Sequence, residues 1–262
     1  MNGNIYMKTI YYYQTFIGLD KLFQKSKDID VIIVSSIHFG ENKIYLNDNL
    51  PYDPIFNKLW EQTNILSKKG VKIMLMMGGA GGAYGELFSK FSVYYPLLLN
   101  LIKTKHIQGL DIDIEENVKL DDVRMLIKHL VNDLGRSFTI TMAPLAVSLQ
   151  QDDPGMGGFS YKTLYNSDVG KYIHWFNAQS YGGSFNYQTY KRMVDNGYPA
   201  EKIGMGMMSG DFTQATFPNA ISEVKKILND YPNMCSVDTW EYIGAPPIKD
   251  DPSQWATLFK HI

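Results

Sequence analysis

Along the chain, short apolar runs alternate with longer segments whose apolar positions recur at helical spacing. Residues 9–16, 31–39, 72–79, 109–115, 138–144, 175–181, 202–208 and 236–243 are bounded by turn or breaker residues, and each is expected to form a strand. Between them, helices are expected over 19–27, 54–69, 84–105, 120–134, 161–170, 187–196 and 217–229, with a short last one over 252–261. Gly70 after Lys68-Lys69, Gly135 after Leu134 and Gly197 after Asn196 stand where glycines end helices. Eight strand-helix units in 262 residues have the size and rhythm of a closed (β/α)8 barrel, a TIM barrel. An open doubly wound sheet is the alternative, but eight regular repeats with no spare segment close more naturally than they end. No Pro/Gly/Ser-rich linker divides the chain, so a single domain over residues 1–262 is expected.

The fourth strand, Gly-Leu-Asp-Ile-Asp-Ile-Glu, organises the rest. Its period of two puts Leu110, Ile112 and Ile114 on one face and Asp111, Asp113 and Glu115 on the other. Same-face neighbours have Cα atoms about 6.6 Å apart, close enough for each charge to hinder ionisation of the next. At least one acid is then expected to hold its proton near neutral pH, as a general acid requires. A solvated antiparallel strand with one acidic face is the other reading. Within a barrel that reading fails, because helices cover the outside and side chains fill the inside. The apolar residues then pack outward and the acids point inward, with Glu115 nearest the C-terminal mouth. A fold tolerates three buried acids mainly at a functional site.

These seven residues resemble the strand-four signature of glycoside hydrolase family 18, the chitinases and endo-β-N-acetylglucosaminidases, usually Asp-Gly-x-Asp-x-Asp-x-Glu. Gly78-Gly79 ends strand three, where the family has Ser-x-Gly-Gly. Met142-Ala143-Pro144, Gln179-Ser180-Tyr181 and Trp240-Glu241-Tyr242 resemble its later strand ends, in order over nearly the whole chain. There are departures: Gln108 replaces the first aspartate, Met76 the serine, and Gly182 follows Tyr181 where Asp or Asn is common. Gln108 is expected deep in the barrel, perturbing the proton network of Asp111 and Asp113.

A two-carboxylate glycosidase needs acids on both sides of the bond, about 5–5.5 Å apart if retaining and about 6.5–9.5 Å if inverting. Two acids from one strand face come from the same side and are poorly placed for that. The resemblance implies instead that the substrate's N-acetyl oxygen attacks the anomeric carbon, with retention. It makes Glu115 the acid and then the base, Asp113 the acetamide orienter, Asp111 its proton partner and Tyr181 the hydroxyl that holds the acetamide oxygen or the water. Gln179 would bond nearby sugar groups and Trp240 would stack on a pyranose; core or loop packing remains the alternative for Tyr181, Gln179 and Trp240. Met142, Gly78 and Gly79 join the substrate-binding set by their strand-end positions. Tyr11, on one strand face with Tyr13, either reaches the sugar or is core.

Charge and composition narrow the partners. With 25 basic and 27 acidic residues the net charge is -2, giving no electrostatic reason to expect nucleic acid. No apolar run approaches the roughly 18 residues of a membrane span, and no export signal is visible, which fits a cytoplasmic or unresolved location. Cys235 alone excludes an intramolecular disulfide. No cofactor and no metal are expected: the glycines at 78–82 lack phosphate-loop spacing, and an EF-hand would need glycine where Glu116 stands. His38 reads as a satisfied barrel histidine rather than a base. The turn-rich segment 150–159 is expected to wall the cleft. The expectation is a monomer hydrolysing a carbohydrate substrate, a chitinase first, with an endo-β-N-acetylglucosaminidase or a chitin-oligosaccharide-binding lectin as alternatives. Because one helix nearly fills 208–236, no insertion deepens the groove, and an open cleft suited to soluble chains follows.

Overall fold

Nine strands, β1 (Lys8–Tyr13), β2 (Val31–Gly40), β3 (Lys43–Leu46), β4 (Lys72–Gly78), β5 (Gly109–Asp113), β6 (Thr139–Met142), β7 (Trp175–Gln179), β8 (Ile203–Met208) and β9 (Ser236–Trp240), form one sheet. They come from a computed structural model that describes residues 7–262. Neighbours pair in parallel from β1 through β9, β8, β7, β6, β5 and β4 to β2, and β1 also pairs with β2. The eight strands therefore close into the (β/α)8 barrel; an open sheet is ruled out. β3 lies outside the cylinder, antiparallel to β2.

Alternation along each strand sorts side chains between two cores. Ile10, Tyr12, Val31, Ile33, Met74, Met76, Trp175 and Cys235 pack inside the cylinder. A larger apolar layer, which includes Leu110, Ile112 and Ile114, lies between strands and helices. Each side chain buried there contributes roughly 1.5–3 kcal/mol. The helix Leu120–Leu134 shows the logic: Val123, Leu126, Ile127 and Leu130 recur at helical spacing, and all are buried. Gly70, Gly135 and Gly197 do end helices, with φ of +95°, +83° and +89°.

Several local expectations fail, among them the helix over 161–170, which stops at Tyr165. Over 19–27 the chain makes only two 3-10 turns, Asp20–Leu22 and Ser26–Asp28, because so short a segment cannot repay helix nucleation and its Leu19 N–H is taken by Gln62 Oε1 at 2.9 Å. The helix expected over 84–105 is two, Tyr84–Ser89 and Phe91–Thr104. Lys90 closes the first by donating to Glu86 O and opens the second by accepting from Val93 and Tyr94. Strand two runs on past Phe39 into the β2–β3 hairpin, turning at Glu41 and Asn42 with φ of +50° and +58°.

Candidate active site

The C-terminal ends of the strands enclose a cleft of about 240 Å³ in which Asp113, Glu115, Gln179, Tyr181 and Trp240 face one another. Below it, Asp111 is fully buried on the inward face of β5, in register with Thr141 of β6 and Met76 of β4. Its Oδ1 accepts from Thr141 Oγ1 at 2.5 Å and Asn177 Nδ2 at 3.2 Å, and its Oδ2 from the Tyr12 hydroxyl at 2.8 Å. Trp175 Nε1 donates to Asn177 Oδ1 at 2.7 Å, and Asn177 Nδ2 also donates to the Tyr12 oxygen at 3.0 Å, so the network spans four strands, β1, β5, β6 and β7. Burial pushes the Asp111 carboxyl up to about 6, and the three donors limit the rise.

Asp113 sits one layer higher, 5% exposed. Burial first, then the charges of Glu115 and Asp111, hold its carboxyl well above the usual range, while the Gln179 amide opposes them. Gln179 Nε2 reaches Ala143 O at 2.8 Å, Asp113 Oδ1 at 3.1 Å and Glu115 Oε1 at 3.4 Å, so one amide spans both acids. Glu115, just past the strand, is half-buried at the mouth. The Tyr181 hydroxyl has no hydrogen-bond partner among the described residues and borders the same space. Burial, followed by the charges of Asp238 and Asp113, raises its pKa well above 10.

The glycines after β4 bring backbone to the acids. Gly79 N–H donates to Asp113 O at 3.0 Å, and Gly78 has φ of +96° with room for no Cβ, which would lie 2.1 Å from that oxygen. Farther along, the Glu116 carboxylate accepts from Ala83, Tyr84 and Gly85 N–H at 2.5, 2.7 and 3.1 Å, tying the loop to the segment after β5. A carboxylate on free backbone donors at a helix start is favourable for charge as well as for hydrogen bonding.

A family model described as glycosyl hydrolases family 18 matches residues 6–246. The chain belongs to glycoside hydrolase family 18. It is accordingly a glycoside hydrolase with a carbohydrate substrate. Among solved structures, a fungal endo-β-N-acetylglucosaminidase of family 18 is 28% identical with a TM-score of 0.87, over 97% of this chain and 96% of that one. A chitinase from Aspergillus fumigatus is 30% identical with a TM-score of 0.85, over 96% and 98% of the two chains. A family 18 chitinase from Pseudoalteromonas aurantia shares the fold at 19% identity, with a TM-score of 0.76 over 97% and 99% of the chains. Comparison with curated proteins gave no match.

Not every residue expected at the family 18 cleft is there. Tyr11 points outward: its hydroxyl donates to Pro252 O at 2.7 Å and accepts from Ala256 N–H at 3.0 Å, and its ring packs on Tyr242 and Trp255 under the last helix. Strand phase decides this, since the inward neighbour is Tyr12. Met142 is fully buried in the outer layer, because Thr139 and Thr141 take the inward positions of β6. Gln108 is exposed at the bottom of the barrel, where its Oε1 accepts from Ile73 N–H at 2.9 Å, away from the acids it was expected to perturb. Residues 150–159 do not line the cleft; Gly157 O accepts from Val118 N–H at 3.0 Å, packing that segment on the chain after Glu115. His38 does border the cleft, with Nδ1 2.6 Å from Gly82 O.

Several site residues escaped the sequence reading. Tyr12, Thr141 and Asn177 were concealed by uncertain strand phase; Asn177 lies two before Gln179, hence on its face. Asp238, two before Trp240, is likewise inward and fully buried, and its Oδ2 has no hydrogen-bond partner among the described residues. Burial and then the charge of Asp111 raise its carboxyl well above the usual range. No helix of the described residues is long and apolar enough to cross a membrane, and no group of three or more His, Cys, Asp or Glu among them is arranged for a metal.

Proposed function

We propose that the chain cleaves the β-1,4 bond after an N-acetylglucosamine residue in chitin oligomers, with the substrate's own acetamide as nucleophile. One observation carries this reading: the acids lining the cleft among the described residues are Asp113, which ends β5, and Glu115, two residues on, spanned by one amide. Among the described residues, no further carboxylate lines the cleft to serve as an enzymatic nucleophile or an inverting base. The acetamide oxygen fills that role at a high effective concentration.

In this reading Glu115 protonates the leaving oxygen as the acetamide oxygen closes on the anomeric carbon. Asp113 accepts from the acetamide N–H and, as positive charge develops on the ring formed, transfers its proton toward Asp111. Tyr181 donates its free hydroxyl to the acetamide oxygen, and Gln179 keeps the two acids apart and oriented. Trp240 carries the apolar face of the sugar. Glu115 then takes a proton from the water that opens the intermediate, giving retention.

Release of a chromophore from a chitobiose or chitotriose glycoside tests the reading. Glu115→Gln is expected to lower kcat by about 10²–10⁴-fold while oligosaccharide binding persists. A wild type that binds the oligomer without turnover would make the chain a lectin, against which the retained Glu115 argues. The second reading, an endo-β-N-acetylglucosaminidase, is favoured by the likeness to the fungal enzyme and by the single α-helix, Phe217–Asp230, between β8 and β9, which leaves the cleft open to a branched glycan. Loss of a high-mannose glycan from a glycoprotein, with no action on chitotriose, would select it.

A further inference from the structure

We propose that Gln14 is a specificity-determining residue that hydrogen-bonds a hydroxyl on the rim of the sugar seated against Trp240. This rests on the proposed N-acetylglucosamine substrate and on Trp240 as its platform. Gln14 follows the last residue of β1 and is two beyond Tyr12, so it shares the inward face, and it borders the cleft together with Trp240 and Glu115. Its backbone is held on both sides. The N–H donates to Glu241 Oε2 at 2.6 Å, and the carbonyl accepts from Asn47 Nδ2 at 3.2 Å. Both anchors are themselves fixed: Glu241 also accepts from Thr15 N–H at 2.9 Å, and Asn47 exchanges bonds with the Ser36 backbone at 2.9 and 3.2 Å.

The side chain is the reverse case. Its amide, half-buried in the wall of the cleft, has no hydrogen-bond partner among the described residues. An amide offers two donors and an acceptor, and a polar group in that position is matched when a ligand supplies the partner. Because the backbone is already held, little further ordering is needed when the ligand arrives. Glu241 directly follows Trp240, so one carboxylate holds both the strand end bearing the indole and the residue beside it.

The chemistry of the sugar supplies the complement. A β-linked N-acetylglucosamine ring carries its substituents equatorially, so its faces are C–H and its rim is polar. A ring lying on the indole presents hydroxyls, in its own plane, to whatever stands at the edge of the platform. Gln14 stands there. The class recognised is a neutral hydroxyl or hydroxymethyl group, for which an amide suffices and a charge is unnecessary.

The test couples one variant to altered substrates. With a chromogenic chitotrioside, Gln14→Ala is expected to raise KM about 5- to 15-fold, the loss of one hydrogen bond, with kcat falling by less than KM rises. Among analogues lacking the 3- or 6-hydroxyl of the residue next to the scissile bond, one loses a similar factor with the wild type and no further factor with Gln14→Ala. Equal losses for every analogue in both proteins, or an unchanged KM, overturn the proposal. A rise in KM accompanied by a lower thermal midpoint and no coupling to either hydroxyl makes Gln14 structural, which also overturns it. If the wild type binds but does not hydrolyse, calorimetry with N-acetylglucosamine trimer reads the same ratios as Kd, and the hydrolase reading fails while Gln14 is still judged. Should the trimer not bind at all, both fall.

Discussion

Asp111, with its carboxyl pushed up to about 6 by burial, is the residue through which pH should enter the reaction. In the proposed mechanism Asp111 must be ionised to take the proton of Asp113, whose carboxyl burial and the charges of Glu115 and Asp111 hold well above the usual range; once Asp111 is itself protonated, Asp113 has nowhere to pass its own. The rate is therefore expected to rise as pH passes upward through about 6, and a pH profile of kcat/KM for Asp111→Asn should lack that acid limb along with most of the activity. A profile whose acid limb persists in this variant would remove Asp111 from the proton path. The alternation of Asp111, Asp113 and Glu115 was legible because period two survives any uncertainty in where the strand ends. Tyr11 was misplaced for the converse reason. In Tyr11-Tyr12-Tyr13 every residue suits either face, so only the register with Val31–Val34 in β2 and with β9 shows that Tyr12 turns inward to Asp111.

Strand ends and the loops after them carry the next level of constraint. Gly70 and Gly78 have nearly the same φ, +95° and +96°, but a Cβ at Gly70 meets nothing within 4 Å, whereas at Gly78 it would meet Asp113 O at 2.1 Å. Gly70→Ala should thus cost about 1–2 kcal/mol of backbone strain in urea unfolding and leave kcat alone. Gly78→Ala should cost more than this and also depress kcat, since the clash is relieved only by moving the strand that bears Asp113. Equal effects of the two would mean that the β4 loop does not hold the acid in place. Helix ends at Gly70, Gly135 and Gly197 were readable from residue type, but the β2–β3 hairpin was not. Its turn needs positive φ at two positions, usually met by Asn-Gly, and here the residues are Glu41 and Asn42. The break at Lys90 was equally silent, because its cause is one residue shared between two helices, its N–H closing the first and its carbonyl opening the second, rather than a breaker residue.

At the scale of the molecule, the eight-unit rhythm specified closure, since each strand was expected beside the next and none was left over. What rhythm does not encode is which acids share the interior, and Asp238 shows the consequence. Its carboxyl is raised well above the unfolded value of 3.8, so the folded chain binds the proton more tightly than the unfolded one. The resulting stabilisation is fully present below 3.8 and is lost as pH rises toward the folded pKa, by up to about 1.4 kcal/mol per pH unit. Asp238→Asn should consequently gain in thermal midpoint relative to wild type as pH is raised from 5 to 8; a constant difference would show that the group does not titrate with folding. Finally, β2, β4, β5, β7, β8 and β9 each place a residue at the cleft, and Gln14 joins them just past β1. No half-cylinder holds a workable portion of that ring, so turnover reports on the intact circle as a whole. Activity and far-UV ellipticity should vanish at the same denaturant concentration, and two separately expressed halves should remain silent until they reassemble.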